Sequence, residues 1–202
     1  MIIELLKKEL EHVSHKIYNR RMVAATGGNI SVRIPGTDHV LIKRTAISLG
    51  EVTAQDVLLV NLDGEVIEGY GTPSKEAGFH LGIYKIRPDV NAVVHCHPPY
   101  AVGFANLGLE LPTPTVTAQK VLGYVPIAKV APSGSVELRE NVLDVFRKHP
   151  DLKVALLERH GICTVGASLE AAYNIADLTE QTAQEDFVTM LIKNILNTLP
   201  LK

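Results

Sequence analysis

Residues 26–43 read Thr26-Gly27-Gly28-Asn29-Ile30-Ser31-Val32-Arg33-Ile34-Pro35-Gly36-Thr37-Asp38-His39-Val40-Leu41-Ile42-Lys43, and this stretch decides the fold class. Thr26-Gly27-Gly28-Asn29 makes a tight turn. Ile30, Val32 and Ile34 then alternate with Ser31 and Arg33, which predicts a half-buried strand. Pro35-Gly36 reverses the chain into a second strand over His39–Ile42, so the pair predicts a hairpin.

The same grammar continues outward. Val57 to Leu62 is an apolar run that predicts a buried strand, and Asp63-Gly64 turns it back into Glu65-Val66-Ile67. Upstream, Ile2, Ile3, Leu5, Leu6, Leu10, Val13 and Ile17 recur at helical spacing and predict an amphipathic helix over 2–20. Downstream, Pro73 opens a predicted helix over Ser74–Ile86. A strand over Asn91–His97 is stopped by Pro98-Pro99, and a short helix follows over Tyr100–Asn106. The segment Val116–Ala131 is mixed, with one strand near Val125–Val130. A helix over Ser133–Lys148, strands over Lys153–Leu157 and Ile162–Val165, and a long helix from Ser168 to about Asn197 complete the chain. No repeat or linker divides it. Hairpin connections without regular strand–helix alternation predict one α+β or layered domain, not a doubly wound sheet.

Composition narrows the setting. The chain has 202 residues, 46% of them apolar and 21% charged, which is ordinary for a folded globular protein. Twenty basic against twenty-two acidic residues leave a formal charge of −2. No strong positive field is present to hold nucleic acid or an anionic membrane surface. Apolar runs such as Val57–Val60 and Val154–Leu157 are too short to span a bilayer. The first ten residues carry Glu4, Lys7, Lys8 and Glu9 and do not read as a secretory signal. Two cysteines, Cys96 and Cys163, make no disulfide framework, so a cytoplasmic setting is expected.

Three histidines carry the chemical signal. His95 and His97 are two apart on a predicted strand, so both imidazoles project to one side and Cys96 to the other. Three protein ligands with an open position mark a catalytic metal. His160 stands at another strand end, beside Gly161, and can complete the set. Glu76 falls in the first turn of the Pro73 helix, where the helix dipole alone accounts for a carboxylate. His80, four residues on, reads as a satisfied core histidine. Thr26-Gly27-Gly28-Asn29 has the composition of an anion-binding turn, although a structural turn is the simpler reading. Lys43-Arg44-Thr45 and Ser74-Lys75 add possible phosphate donors, of a kind usually found on solvated surface.

In order along the chain, Thr26-Gly27-Gly28-Asn29-Ile30-Ser31, Pro73-Ser74-Lys75-Glu76, Ala92-Val93-Val94-His95-Cys96-His97 and Leu157-Glu158-Arg159-His160-Gly161 resemble the class II aldolase/adducin family. The likeness runs from about Arg21 to Gln184. It implies a layered α/β/α domain over 1–202, with a central, mainly antiparallel sheet flanked by helices. It also implies a homotetramer with sites between subunits and one Zn²⁺ per subunit held by His95, His97, His160 and Glu76. Glu76 then doubles as acid/base, and Gly28, Asn29, Thr45, Ser74 and Lys75 bind the substrate phosphate. The implied reaction is retro-aldol cleavage of a small phosphorylated ketose through a metal-stabilised enediolate, as in L-fuculose-1-phosphate aldolases. The alternative is decarboxylation of a 3-oxo sugar-acid phosphate on the same site, and Lys75 beside Glu76 looks like that branch. A non-catalytic adducin-like scaffold is the third reading. The tyrosine that serves such aldolases as proton donor has no match in Leu111–Ala118, where Val116 falls about at its place.

Overall fold

The structure, a computed structural model, describes residues 2–198. Strands β1 (Asn29–Arg33), β2 (His39–Lys43), β3 (Val57–Asn61) and β4 (Val66–Glu68) form a meander. They are joined by β5 (Ala92–Cys96), β6 (Ile127–Ala128), β7 (Val154–Leu157) and β8 (Gly161–Gly166) in one eight-stranded sheet of order β4-β3-β2-β1-β5-β8-β7-β6. Every pairing is antiparallel except β6 with β7. The helices are α1 (Ile2–Asn19), α2 (Ala77–Ile86), α3 (Pro99–Asn106), α4 (Val116–Val121), α5 (Val136–Lys148) and α6 (Leu169–Thr198). This is the single layered α+β domain that the hairpin grammar predicts.

Strand alternation divides the core in two. Leu41, Ala92, Val94 and Cys96 face a cluster built with α1, α3, α4 and α6. Val40, Ile42, Val93 and Cys163 face a second cluster built with α2 and α5. Because helices cover both faces, β1 is not half-buried as its alternation predicts: Ser31 is fully buried and Arg33 half-buried. Burial at these positions requires partners. The Ser31 hydroxyl is shared between His80 and Tyr84, and the Arg33 guanidinium donates to the Tyr84 carbonyl and lies over its ring.

Two helix starts come later than predicted, and both displacements matter to the site. Pro73 and Ser74 are tied to the end of β2: Arg44 bridges Pro73, and the Ser74 N–H donates to the Lys43 carbonyl at 3.2 Å. The chain must therefore turn before α2, which begins at Ala77 with Glu76 as its N-cap residue. Likewise α5 begins at Val136, because Ser135 is its cap and accepts the Leu138 N–H at 3.0 Å. Ser133 is left outside the helix, in a turn through Gly134 at φ +74°. The mixed segment resolves into α4, capped by the Thr115 side chain, and the short β6.

Candidate metal centre

Register at the middle of the sheet builds the site. Asn29, the first residue of β1, lies opposite His95 of β5, and His95 lies opposite Cys163 of β8. Opposed residues of an antiparallel pair share a face, so Asn29 and His95 both look toward α2. The carboxylate of Glu76 comes down from the start of that helix. His97 lies one residue past the strand, not within it, and its N–H donates to the Met22 carbonyl at 2.7 Å. His160 sits in the β7–β8 turn, which Arg159 enters in the left-handed region at φ +55°.

Ligating atoms of His95, His97 and His160 all lie within 4.8 Å of one another. Glu76 bridges two of them: Oε2 is 3.2 Å from His95 Nε2, and Oε1 is 3.1 Å from His160 Nε2. His97 Nε2 is 2.9 Å from His95 Nε2. Glycines make the room. A Cβ on Gly161 would stand 2.5 Å from the Cys96 carbonyl oxygen and 2.6 Å from His97 Cδ2, and one on Gly27 would stand 3.1 Å from the His97 ring. Cys96 is buried in the opposite core, as the strand-face reading requires. Cys163 lies on the His95 side, but both thiols are free and outside the histidine cluster, and burial pushes both above the usual thiol value.

The donor chemistry fits a divalent cation. His95 Nδ1 donates to the Ile162 carbonyl at 2.8 Å, which leaves its Nε2 lone pair aimed at the cluster. That lone pair meets a carboxylate oxygen and another imidazole nitrogen, an arrangement that repels unless a shared cation or proton lies among them. Ligands held tetrahedrally at about 2.0–2.1 Å stand roughly 3.3 Å apart, close to these separations. Burial, then the neighbouring His95 and His160 rings, drive His97 down to about 3. It is therefore neutral, the form a metal needs. Burial opposes ionisation of Glu76, but positive charge shared with His95 and His160 outweighs it and holds the carboxyl well below the usual range.

Glu76 is buried and held by more than imidazoles. Its Oε2 accepts from Asn29 Nδ2 at 2.9 Å, and its Oε1 accepts from the Ser133 hydroxyl at 2.7 Å. The Asn29 amide is fixed in turn: Oδ1 contacts His80 Nε2 at 2.5 Å, His80 Nδ1 contacts Ser31 Oγ at 2.8 Å, and Ser31 Oγ contacts Tyr84 Oη at 2.8 Å. His80 is the satisfied core histidine expected. Burial, then His95, lowers it to about 3. As N-cap, Glu76 makes no side-chain bond to its own helix; its carboxylate is turned instead to His95, His160, Asn29 and Ser133.

The other site candidates form a strip beside this cluster. Lys43, expected on solvated surface, is instead 2% exposed, and its ammonium donates to the Gly28 carbonyl at 3.3 Å. Burial, then Arg44, lowers it to about 8. Thr45 donates its N–H to the Thr72 carbonyl, and Ser74 pairs with the Lys43 backbone. Gly28, Lys43, Thr45 and Ser74 are thus neighbours at the end of β2. Arg44 turns away to Asp56, and Lys75 is exposed with no side-chain hydrogen bond or ion pair among the described residues. Ser133 is the contact that sequence reasoning misses. Its position at the start of the helix predicted over Ser133–Lys148 gives it no role, and nothing local says that its hydroxyl meets a residue fifty-seven positions earlier.

Comparison with known proteins agrees with this arrangement. Residues 8–186 match the family described as Class II Aldolase and Adducin N-terminal domain. An L-fuculose phosphate aldolase of Methanococcus maripaludis is 34% identical over 90% of this chain and 96% of its own length. A 5-deoxy-D-ribulose 1-phosphate aldolase of Bacillus thuringiensis serovar kurstaki is 34% identical over 93% and 88%. The crystal structure of an L-fuculose-1-phosphate aldolase from Thermus thermophilus superposes with a TM-score of 0.82 at 26% identity, covering 98% of each chain. With the glycine turn, the HxH strand end and the His160 turn converging as they do, the chain belongs to the class II aldolase/adducin family.

Proposed function

We propose that this protein is a zinc-dependent lyase that cleaves a small phosphorylated ketose by a retro-aldol reaction. The observation that carries the reading is the convergence of His95, His97, His160 and the Glu76 carboxylate on one point. A scaffold without activity would have no use for four intact ligands. Zn²⁺ held there would act as a Lewis acid toward the charge left on the carbonyl fragment as the bond breaks.

The chain's own residues supply the rest. Glu76 takes the proton of the hydroxyl at the carbon whose bond is cut. Asn29 keeps Oε2 in place meanwhile, backed by the buried chain through His80, Ser31 and Tyr84. Gly28, Asn29, Thr45 and Ser74 bind the phosphate, with Lys75 at the rim. The buried Lys43 ammonium, whose hydrogen-bond partner among the described residues is a single carbonyl, supports an anion beside it. Two aldolase relatives support the substrate class, one named for L-fuculose phosphate and the other for 5-deoxy-D-ribulose 1-phosphate.

Lys75 beside Glu76, exposed and without an ion pair among the described residues, favours a second reaction on the same metal, decarboxylation of a 3-oxo sugar-acid phosphate. A single assay separates them. Zinc-loaded protein, with a chelated control, is offered ketose 1-phosphates and 3-oxo-acid phosphates, and products are identified. Dihydroxyacetone phosphate and an aldehyde are expected, abolished by chelation. Carbon dioxide with no ketose cleavage would overturn the aldolase in favour of the decarboxylase. No described helix is long and apolar enough to cross a membrane, in keeping with the small, soluble substrate proposed.

A further inference from the structure

The two oxygens of Glu76 are held in parallel ways by unlike parts of the molecule. Each contacts one imidazole nitrogen and one neutral donor: Asn29 on Oε2, Ser133 on Oε1. When the imidazoles turn their lone pairs to a metal, Asn29 and Ser133 are the hydrogen-bond donors left to the carboxylate among the described residues. The Asn29 side is rigid, since its amide is locked by the fully buried His80 and Ser31. The Ser133 side is a solvent-facing turn between β6 and α5, in which Pro132, Ser133 and Gly134 are all exposed.

That turn is nevertheless registered to Glu76. Gly134 adopts φ +74°, and a Cβ there would stand 3.1 Å from the Lys75 carbonyl oxygen and 3.2 Å from Lys75 Cβ. Gly134 thus seats against Lys75 while Ser133, one residue back, meets Glu76, one residue on. The hydroxyl of an exposed residue is thereby brought to a carboxylate whose residue is only 6% exposed.

We propose that Ser133 is a positioning residue for Glu76, fixing its Oε1 side so that the carboxylate presents to the metal held by the three histidines. The proposal rests on Glu76 being a metal ligand, as read above. A hydrogen bond from outside the ligand set orients a ligating carboxylate and raises affinity, and losing such a partner typically costs about 10–100-fold. Ser133 faces water, which can partly replace it, so the low end of that range is expected.

The test is Co²⁺ titration of the metal-stripped full chain, followed by visible absorption, for wild type, Ser133→Ala, Ser133→Thr, Glu76→Gln and the Ser133→Ala/Glu76→Gln double variant. Ser133→Ala should bind about tenfold more weakly, Ser133→Thr should stay within about twofold of wild type, and the double variant should match Glu76→Gln. Wild-type affinity in Ser133→Ala, or an equal loss when Glu76 is already Gln, would overturn the positioning role. Wild-type affinity in Glu76→Gln would instead remove Glu76 from the ligand set and end the proposal at its premise. Because the readout is metal affinity, failure of the protein to cleave any ketose phosphate would count against the aldolase reading and leave the Ser133 result standing.

Discussion

At the scale of single residues, Gly161 measures how little space the imidazoles have. Gly161→Ala would drive a methyl group to 2.5 Å from the Cys96 carbonyl oxygen and 2.6 Å from His97 Cδ2. Both are below any real Cβ contact, and the obstacles are backbone and a metal-facing ring. We expect Gly161→Ala to fold but to bind less than one metal per chain, checked by metal analysis of purified protein. Glu76→Gln should reduce turnover by about 10²–10⁴-fold, the usual cost of a lost acid/base, in protein saturated with zinc. Asn29→Ala should lower kcat as well as raise KM for a phosphorylated substrate, because the same amide holds the Glu76 carboxylate. An effect on KM alone would separate Asn29 from Glu76 and leave it to the phosphate.

What was legible in the sequence at this scale followed a rule. His95 and His97 could be paired because strand periodicity is local, and Cys96 could be set aside by the same argument. His160 could be offered as a third ligand from its place at another strand end beside Gly161, but Glu76 could be joined to them only through the family resemblance, since nothing in spacing says that four elements meet. Lys43 looked like surface because burial of an ammonium is decided by what covers the end of β2, not by its neighbours in sequence. Ser133 was illegible for the same reason, made worse by a helix start that slipped from 133 to 136. At each such position the partner that decides the outcome is remote in sequence.

Among elements, the meander β1–β4 was readable because each turn carries its own chemistry, Pro35-Gly36 and Asp63-Gly64. The α2 start falls later than the sequence predicts because Pro73 suits a first helical turn, yet Ser74 is already committed to the end of β2. The β2–β3 connection depends on a different device. Asp56 accepts from the Thr53 N–H at 2.9 Å, from the Thr53 hydroxyl at 2.7 Å and from Arg44 Nε at 2.8 Å. Burial pushes its carboxyl up, but these donors outweigh burial and hold it below its usual value of 3.8. A depressed carboxylate contributes stability that is fully present above that value and is lost as pH falls through the folded one. Asp56→Asn should therefore cost about 1 kcal/mol near pH 7, in line with lost hydrogen bonds to a charged group partly screened by water. Its deficit against wild type should shrink below pH 4. Thermal midpoints of both proteins at pH 7 and pH 3 check this, and a deficit that does not change with pH would contradict it.

For the whole molecule, the outlying feature is the end of α6. The helix runs thirty residues, but its buried positions end at Asp186. Beyond that, Phe187, Val188, Met190, Leu191, Ile192, Ile195 and Leu196 are each 41–59% exposed. Scattered exposed apolar side chains are ordinary, but seven within ten residues on one helix mark a surface for protein contact. The homotetramer implied by the family resemblance would cover such a surface and would place sites between subunits. Leu191→Glu with Ile195→Glu should then split the assembly, read by light scattering on a sizing column. The unfolding of the separated chain should remain cooperative, because neither side chain is part of its two cores. Cleavage should fall with the tetramer while Co²⁺ binding persists, since His95, His97, His160 and Glu76 all come from one chain. A wild-type protein that stays monomeric at every concentration would sink the assembly. Full cleavage by a dissociated variant would show that the subunit carries the whole reaction alone.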